Sequence, residues 1–357
     1  MKKIGIITYQ NTTNYGALLQ AFALQSKLKE LGANCETINY HCKNIEEREN
    51  VSFPKFKNNF IEFLRRIKVY YKVSKKRNVM KNFINKNLKL SRKHYTKKNI
   101  KQSNKIYDKF IVGSDMVFEL GINGGDMTFY LDFAEPKKRY SYAASLGVEK
   151  IDDKYKKRCI EELEKFEHIS IREEQGKEYF SKILKNEVYQ DIDPTLLYDG
   201  KFWERFEEIP KEKNNKRYIL LYFVDEKSQE FRIAKKIAEK NDLNLYLLSN
   251  EKKIINGCKV IHNASVGEFL YYIHNASLVM TESYHGMLFS INYNTSFMYF
   301  CHKKDTSRLD NIAQITKLTD RKLTSDTIPD LNCNFSEANE ILKSLRKKSI
   351  EYLKSIL

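Results

Sequence analysis

A strand-to-helix turn with a histidine at its tip is the strongest candidate for chemistry in this sequence. Residues 281–286 read Thr-Glu-Ser-Tyr-His-Gly, between an apolar run that predicts a buried strand and a segment, 287–293, that predicts a helix. In an α/β fold such a turn opens at the carboxyl edge of the sheet, where ligands bind. The helix directs its positive dipole end and its unpaired amides there. His285 in this place is predicted to be an acid catalyst or an anion ligand.

Small and polar residues follow three other predicted strands, at 8–16, 113–115 and 172–174. The candidate site residues among them are Asn14, Tyr15, Gly16, Ser114, Asp115 and Arg172. A guanidinium at a sheet edge suits a carboxylate or a phosphate. Gly16, like Gly286, stands at a helix start, where a small residue lets a ligand approach backbone amides.

Each of these side chains also has a structural alternative. Asn14 suits a helix N-cap, and Asp115 suits a hydrogen bond within its own turn. Arg172 with the two glutamates at 173–174 could form a solvated charge cluster, and His285 could be a packed, hydrogen-bonded histidine. The recurrence of such turns at equivalent edges of two predicted sheets favours a functional role.

Two runs of alternating strands and helices position these turns. A strand at 3–9, a helix at 17–31 and a strand at 36–40 form a βαβ unit, which requires a parallel sheet. Further strands are predicted in this half at 110–112, 139–146 and 169–171, and the pattern restarts with a strand at 218–224.

This alternation predicts an α/β fold of two Rossmann-like domains that face each other across a cleft. We expect the N-terminal domain to span 1–205 and the C-terminal domain to span 206–357, ending in a long helix from residue 336.

The composition narrows the class of protein further. The 357 residues are 41% hydrophobic, with only 5 Pro and 13 Gly, which argues against long disordered linkers. The six cysteines contain no CxxC pair and the seven histidines share no spacing, so neither a metal site nor a disulfide scaffold is predicted. The N-terminal apolar run is too short for a signal peptide. A cytoplasmic protein is expected.

The formal net charge of +17 is concentrated in one basic arm. Residues 55–109 contain 19 Lys or Arg and two acids, whereas the rest of the chain has 44 of each sign. Apolar residues recur at helical spacing within it, which predicts amphipathic helices inserted at about 52–105. Three interpretations are open: a solvated face whose apolar stripe packs on the body, a nucleic-acid surface without a recognised motif, or a cationic contact with anionic lipid.

Six segments taken together resemble the polysaccharide pyruvyl transferase family. They are 8–9 with 14–25, 112–115, 141–147, 171–173, 193–197 and 281–286. The resemblance runs from Ile4 to about Phe300, which is most of the chain. It implies a GT-B-like architecture and the transfer of pyruvate from phosphoenolpyruvate to a sugar as a cyclic ketal, with release of phosphate. It implies no cofactor beyond phosphoenolpyruvate as the donor substrate.

The family's phosphoenolpyruvate-binding histidine and arginine correspond here to His285 and Arg172. We expect Arg172 to clamp the carboxylate or phosphate, and Asp115 or Glu282 to accept the hydroxyl proton. The remaining residues expected to contact substrate are Asn14, Tyr15, Gly16, Ser114, Ser283, Tyr284 and Gly286. Acceptor sugars of this family are often built on lipid diphosphate carriers, so the resemblance favours a peripheral membrane contact for the basic arm at the inner face and no nucleic-acid partner.

Two other functions stay open at this stage. The first is a GT-B glycosyltransferase that uses a nucleotide sugar, because a fold does not fix its donor. The second is a non-enzymatic binding protein that acts through the basic arm, which the several turns at sheet edges disfavour.

Overall fold

The computed structural model describes residues 2–49, 51–56, 58–211, 217–251, 253–301, 307–324 and 328–357. The chain divides into two compact units. The first unit is Met1–Leu197 with Leu345–Leu357, and the second is Tyr198–Ser344. This division differs from the expected one in two places: the boundary lies slightly before residue 205, and the chain's last thirteen residues return to the first unit.

The first unit has an α/β architecture. Its strands and helices are β1 (Lys3–Ile7), α1 (Tyr15–Glu30), β2 (Asn34–Thr37), α2 (Lys43–Arg48), α3 (Phe60–Lys72), α4 (Ser74–Asn87), β3 (Lys109–Gly113), α5 (Leu120–Asn123), β4 (Arg139–Tyr142), α6 (Asp153–Leu163), β5 (Ile169–Ile171), α7 (Glu174–Ile183) and β6 (Val188–Gln190). Four strands pair in the order β2-β1-β3-β4, all parallel. Isolated bridges join β4 and its continuation to β5, which pairs in parallel with β6.

Helix α1 is almost completely buried against this sheet. Leu18, Leu19 and Leu24 are all fully buried, because apolar residues occupy more than one face of the helix. The helix approaches the end of β3 so closely that a Cβ atom at Gly113 would lie 2.2 Å from Leu24 Cδ2. Any larger residue at this position, just before the turn at Ser114, would require the fully buried Leu24 side chain to move.

The basic insertion contains two helices that differ in their packing. Helix α4 packs on α1, with Met80 and Ile84 buried and Phe83 edge-on to Phe22. Helix α3 has no buried residue at all. The first interpretation of the basic arm, an apolar stripe packed on the body, therefore fits α4, whereas the stripe of α3 is half-buried at Phe63, Ile67 and Tyr70 and exposed at Phe60, Leu64 and Tyr71. Within the described ranges, no helix is long and apolar enough to cross a membrane.

Strand β4 is shorter than predicted. The sequence predicted a strand over 139–146, but β4 ends at Tyr142 because Ala143 has a φ of 45°. That left-handed conformation breaks the extended backbone. The chain then turns so that the amide of Ala144 donates to the carbonyl of Ser170, and Ser145 lies next to the turn after β3.

The second unit is a five-stranded, doubly wound parallel sheet. Its elements are α8 (Gly200–Glu204), β7 (Tyr218–Tyr222), α9 (Gln229–Asn241), β8 (Asn244–Ser249), β9 (Lys259–His262), α10 (Val266–His274), β10 (Leu278–Thr281), α11 (Tyr284–Tyr293), β11 (Phe297–Tyr299), α12 (Ser307–Ile315) and α13 (Ser336–Ser355), of which the last turns belong to the first unit. The strand order is β11-β10-β7-β8-β9. The central strands β7 and β10 are buried along their whole length, as parallel strands covered on both faces require.

Candidate active site

The strand order of the first unit reverses between β1 and β3. The chain goes from β1 outward to β2 and then crosses to β3 on the other side of β1. A reversal of this kind leaves a crevice at the carboxyl ends of the two strands, which is where ligands bind in open α/β sheets. The turns after β1 and β3 meet there, since the Tyr9 hydroxyl donates to the carbonyl of Met116 at 3.0 Å.

Asn14 caps helix α1, as its structural alternative predicted. Its Oδ1 accepts hydrogen bonds from the amides of Gly16 at 2.9 Å and Ala17 at 3.2 Å. The ring of Tyr15 lies under the ammonium of Lys76, which is 3.0 Å from the ring centroid and only 2% exposed. Burial lowers the pKa of Lys76 well below its ordinary value. Helix α4 of the basic insertion therefore covers the first turn of α1.

Asp115 adopts a left-handed backbone conformation in the turn after β3. Its φ is 62°, which is uncommon outside glycine and asparagine. Its Oδ1 accepts the amide of Met116 at 2.9 Å, and its carbonyl accepts the amides of Val117 and Ser145. Asp115 thus makes the hydrogen bond within its own turn that the sequence allowed, and its side chain stays at the crevice with 8% of its surface exposed.

Arg172 lies in a buried ion-pair network, so the solvated cluster considered from the sequence is wrong. Its Nε is 3.0 Å from Glu173 Oε1 and its Nη1 is 2.9 Å from Asp193 Oδ2. The three side chains are 1%, 8% and 0% exposed. Ser145 donates to Glu173 at 2.6 Å and Ser114 donates to Asp193 at 3.2 Å. The structure therefore brings Ser114 and Arg172 together through Asp193.

Asp193 was not predicted to be a site residue, although it begins one of the six segments that resemble the family. Its Oδ1 accepts the amide of Thr195 at 2.9 Å and the Thr195 hydroxyl at 2.8 Å, while its Oδ2 binds Arg172. An aspartate followed by Pro194 and Thr195 is a turn signal. That signal identifies the turn, but the ion pair joins residues 21 positions apart and has no local pattern in the sequence.

In the second unit the strand order reverses between β7 and β10. The chain runs from β7 to β8 and β9, then returns to β10 on the other side of β7. The predicted turn at 281–286 follows β10, so it lies at this reversal. Five candidate residues share it: Glu282, Ser283, Tyr284, His285 and Gly286. His285 is 8% exposed and lies in the first turn of α11.

The turn holds its shape through its own small residues. Ser283 caps α11 by accepting the amide of Gly286 at 3.2 Å, and its own amide donates to Thr281 Oγ1 at 2.9 Å. A Cβ atom at Gly286 would lie 2.9 Å from both Thr281 Oγ1 and Tyr222 Cδ1. A larger residue at 286 would displace the N-terminus of α11, with the positive end of its dipole, from β7.

The residue after β7 has a strained backbone conformation. Phe223 has a φ of 62° and is 51% exposed, although aromatic residues rarely adopt that conformation. It lies one residue beyond Tyr222, which pairs with Thr281 in the sheet. The guanidinium of Arg308 lies 5.9 Å from the ring centroid of Tyr284. Sequence reasoning missed Phe223, because a strained φ has no signal in residue type.

The described residues offer no metal centre. Nowhere in these ranges do three or more His, Cys, Asp or Glu side chains come together in a way that could hold an ion.

Comparison with known proteins gives both a family and a fold. The sequence model of the polysaccharide pyruvyl transferase family matches residues 14–301. Among solved structures, S. aureus MnaA with UDP aligns over 99% of this chain and 91% of its own, with a TM-score of 0.51 and 11% identity. The UDP-GlcNAc 2-epimerase from Neisseria meningitidis bound to UDP-GlcNAc aligns over 100% and 94%, with a TM-score of 0.50 and 8% identity.

At these identities the structural likeness shows the fold alone. The chain has the GT-B-type α/β fold of those epimerases, which confirms the fold class predicted from the sequence. No curated protein matches the chain.

Proposed function

Because the chain belongs to the polysaccharide pyruvyl transferase family, we propose that it transfers pyruvate from phosphoenolpyruvate to a sugar. The sugar belongs to a cell-surface polysaccharide or to its lipid-linked precursor. The product is a pyruvate ketal, and inorganic phosphate is released. No cofactor takes part besides the donor substrate.

The observation that carries this proposal is the turn at 283–286 in the second unit. It lies at the reversal of strand order, where α11 begins and directs its positive dipole end toward the carboxyl edge. Phosphoenolpyruvate carries a carboxylate and a phosphate, so it needs amides and positive charge. The imidazole of His285 and the amides in the first turn of α11 are the groups proposed to bind it there.

The reaction balances without an oxidant or a metal ion. A proton adds to the terminal carbon of the enol, one sugar hydroxyl attacks the adjacent carbon, and a second hydroxyl replaces phosphate at that carbon. The two hydroxyls lose two protons, one of which balances the proton gained by carbon while the other leaves with phosphate. His285 either supplies the first proton or holds the departing phosphate, and Asp115 or Glu282 accepts a hydroxyl proton.

We assign the remaining candidate residues to substrate binding. Arg172 is proposed as the group that clamps the carboxylate or phosphate of the donor. Asn14, Tyr15, Gly16 and Ser114 are assigned to the acceptor, and Glu282, Ser283, Tyr284 and Gly286 to the donor.

We also propose that helix α3 holds the protein against an anionic membrane at the inner face. Phe60, Ile61, Leu64 and Tyr71 on this helix are 48–79% exposed. Four cations, Arg65, Arg66, Lys68 and Lys72, lie on the same helix. An exposed apolar stripe flanked by cations is the pattern of a helix that lies in a lipid interface. Such a contact would concentrate the enzyme near lipid-linked acceptors.

The alternative function is transfer of a sugar from a nucleotide sugar. It is favoured by one observation, the fold shared with proteins that were crystallised with UDP or UDP-GlcNAc. Thermal shift separates the two functions, because a ligand that binds the native state raises the melting temperature. Stabilisation by phosphoenolpyruvate and not by nucleotide sugars is the expected result.

The direct test incubates the protein with phosphoenolpyruvate and a lipid-linked glycan pool. The expected result is a mass gain equal to pyruvate less water, with one phosphate released for each ketal. His285→Ala should lower the rate at least about 100-fold, and His285→Gln is measured beside it. If His285→Gln recovers most of the loss seen with His285→Ala, then His285 binds phosphate; if both lose equally, it is the acid.

A matched control is His168→Gln. His168 stacks on Tyr140 at the start of β5, at the opposite edge of the sheet from the candidate turns. Its replacement should leave turnover unchanged. Absence of any phosphate release from phosphoenolpyruvate with every glycan in the pool, together with stabilisation by a nucleotide sugar, would contradict the proposed function.

A further inference from the structure

A cavity of about 610 Å³ opens in the first unit beside the candidate turns. It lies past the carboxyl end of β2, between the segment that leads into α2 and the loop around Thr96. A volume in the range of about 300–1,000 Å³ is typical of sites that bind a small molecule. None of the residues that line this cavity was predicted from the sequence to be a site residue.

The cavity adjoins the turn after β1. Gln10 donates through Nε2 to the carbonyl of Tyr40 at 2.9 Å, and Asn11 donates through Nδ2 to Glu46 Oε1 at 2.6 Å. Tyr40 and Glu46 both line the cavity. On another side Asn123 lines it and reaches toward the Tyr9 hydroxyl at 3.4 Å. A molecule in the cavity would therefore lie next to the crevice between β1 and β3.

The acidic side chains of the cavity already have partners in the protein. Glu46 accepts from Asn11 and from His41, whose Nδ1 is 2.6 Å from Glu46 Oε1. Asp126 accepts the Tyr40 hydroxyl at 2.6 Å. Glu47 lies 3.5 Å from the guanidinium of Arg66.

Three lysines at the rim of the cavity form no ion pair of this kind. Lys55, Lys97 and Lys98 line the cavity and are exposed, and none of them forms an ion pair with a carboxylate in the described part of the chain, although Lys97 lies near enough to Asp132 to stabilise its charge. His41 adds to this excess of positive charge, because its hydrogen bond to Glu46 raises the pKa of the imidazole. The second ring nitrogen of His41 lies 3.1 Å from His94 Nδ1. The cavity thus suits an anion that also has hydroxyl groups, with Tyr40 and Phe53 as apolar walls.

We propose that this cavity binds a saccharide phosphate, with the phosphate held at the rim by Lys97, Lys98 and Lys55 and the sugar ring against Tyr40 and Phe53. The proposal rests on the proposed function, since it makes this cavity the place where the phosphorylated end of the acceptor is recognised. The same chemistry is present in a lipid-linked sugar diphosphate and in a soluble sugar phosphate.

The test uses the full-length protein with hexose 1-phosphate as the probe. Lysine acetylation read by mass spectrometry should show protection of Lys55, Lys97 and Lys98 and not of Lys101 or Lys105. The double variant Lys97→Ala/Lys98→Ala should weaken binding at least tenfold, because two charge-assisted contacts are lost. Lys101→Ala/Lys105→Ala is the matched control: it removes the same charge from exposed positions in the same basic insertion that do not line the cavity.

Equal weakening in the two double variants would overturn the proposal, because it would show only a general attraction to the basic insertion. Binding of unphosphorylated hexose as strong as that of hexose 1-phosphate would also overturn it. Displacement of the probe by a prenyl diphosphate hexose in detergent or by a UDP-hexose supports it and identifies the source of the phosphate; displacement by neither overturns it.

Failure of this inference can be told apart from failure of the proposed function. If ketal forms from phosphoenolpyruvate but Lys97→Ala/Lys98→Ala leaves the acceptor KM unchanged, the proposed function stands and the cavity has another role. If hexose 1-phosphate binds as described but no ketal forms, the cavity site stands and pyruvyl transfer does not. An increased acceptor KM with little change in kcat is the result expected when both hold.

Discussion

At the scale of single residues, the buried ion pairs of Arg172 determine how its role should be tested. Arg172→Ala would leave Glu173 and Asp193 buried without their counter-ion, which costs about 3–5 kcal/mol of stability. Lost activity in that variant would therefore reflect unfolding as well as lost binding. We expect Arg172→Lys to keep the charge and most of the stability, because an ammonium can still pair with one of the two carboxylates.

Denaturant unfolding and the KM for phosphoenolpyruvate, measured together, check this prediction. If Arg172 clamps the donor, Arg172→Lys should raise that KM at least tenfold, because a lysine cannot bind a carboxylate or phosphate in two places. A wild-type KM in a folded Arg172→Lys protein would make Arg172 purely structural. Arg158→Ala is the control: its pair with Asp132 is at the surface, where such a pair contributes at most about 1 kcal/mol.

The residue types and their order predicted which turns reach the sheet edges, but not what each side chain touches there. Asn14 and Ser283 cap their helices, as the preference of Asn and Ser for that position allows. The two glutamates after Arg172 left a solvated cluster open as an alternative, whereas one of its two buried partners, Asp193, is distant in sequence. Contacts of this kind depend on how β5 and the segment after β6 come together, which no local pattern encodes.

At the scale of elements, helix α3 differs from α1, α4, α6 and α7 because none of its residues is fully buried. We predict that its apolar stripe binds lipid. Ile61→Asn/Leu64→Asn should lower binding to vesicles containing anionic lipid at least tenfold, since two apolar side chains no longer enter the interface. Vesicle flotation at low and high salt measures this, and added salt should weaken the wild-type interaction.

The control for α3 is Ile254→Asn, which changes a fully exposed isoleucine in the second unit. It should leave flotation unchanged. Flotation that does not depend on anionic lipid, or that is the same in the α3 and Ile254 variants, would contradict the membrane contact. Variants that neutralise Arg65 and Lys68 should also bind anionic vesicles more weakly. Each charge near the membrane surface is expected to contribute about 1 kcal/mol to the binding free energy.

The periodicity of apolar residues predicted most strands and helices of both sheets. It failed where the backbone conformation of one residue determines the end of an element. The strand predicted over 139–146 ends at Tyr142 because of the left-handed Ala143. Periodicity also gave α3 and α4 the same amphipathic pattern, and only packing shows that α4 is covered by α1 while α3 is not. The amount of burial depends on which surface is nearby, and a sequence pattern carries no information about that.

At the scale of the whole molecule, the chain returns to its first unit at its end. The last residues of α13 bind this unit: the Tyr352 hydroxyl donates to the carbonyl of Ser141 at 2.8 Å, and the amide of Ile192 donates to Ser349 Oγ at 3.2 Å. Lys109 donates to the carbonyl of Ile356 at 2.6 Å. The first unit therefore cannot complete its packing until residues 345–357 are present.

We predict that truncating a buried leucine of α13 destabilises the unit in which that leucine lies. Leu353 and Leu342 are both completely buried, but Leu353 lies in the first unit and Leu342 in the second. Leu353→Ala should cost about 2–5 kcal/mol, the usual range for a buried leucine. Hydrogen exchange should then show faster opening of β3 and β4 in that variant, and of β7 and β10 in Leu342→Ala. Equal protection losses in both sets of strands for either variant would mean that the two units unfold as one, and that the division of the chain has no thermodynamic counterpart.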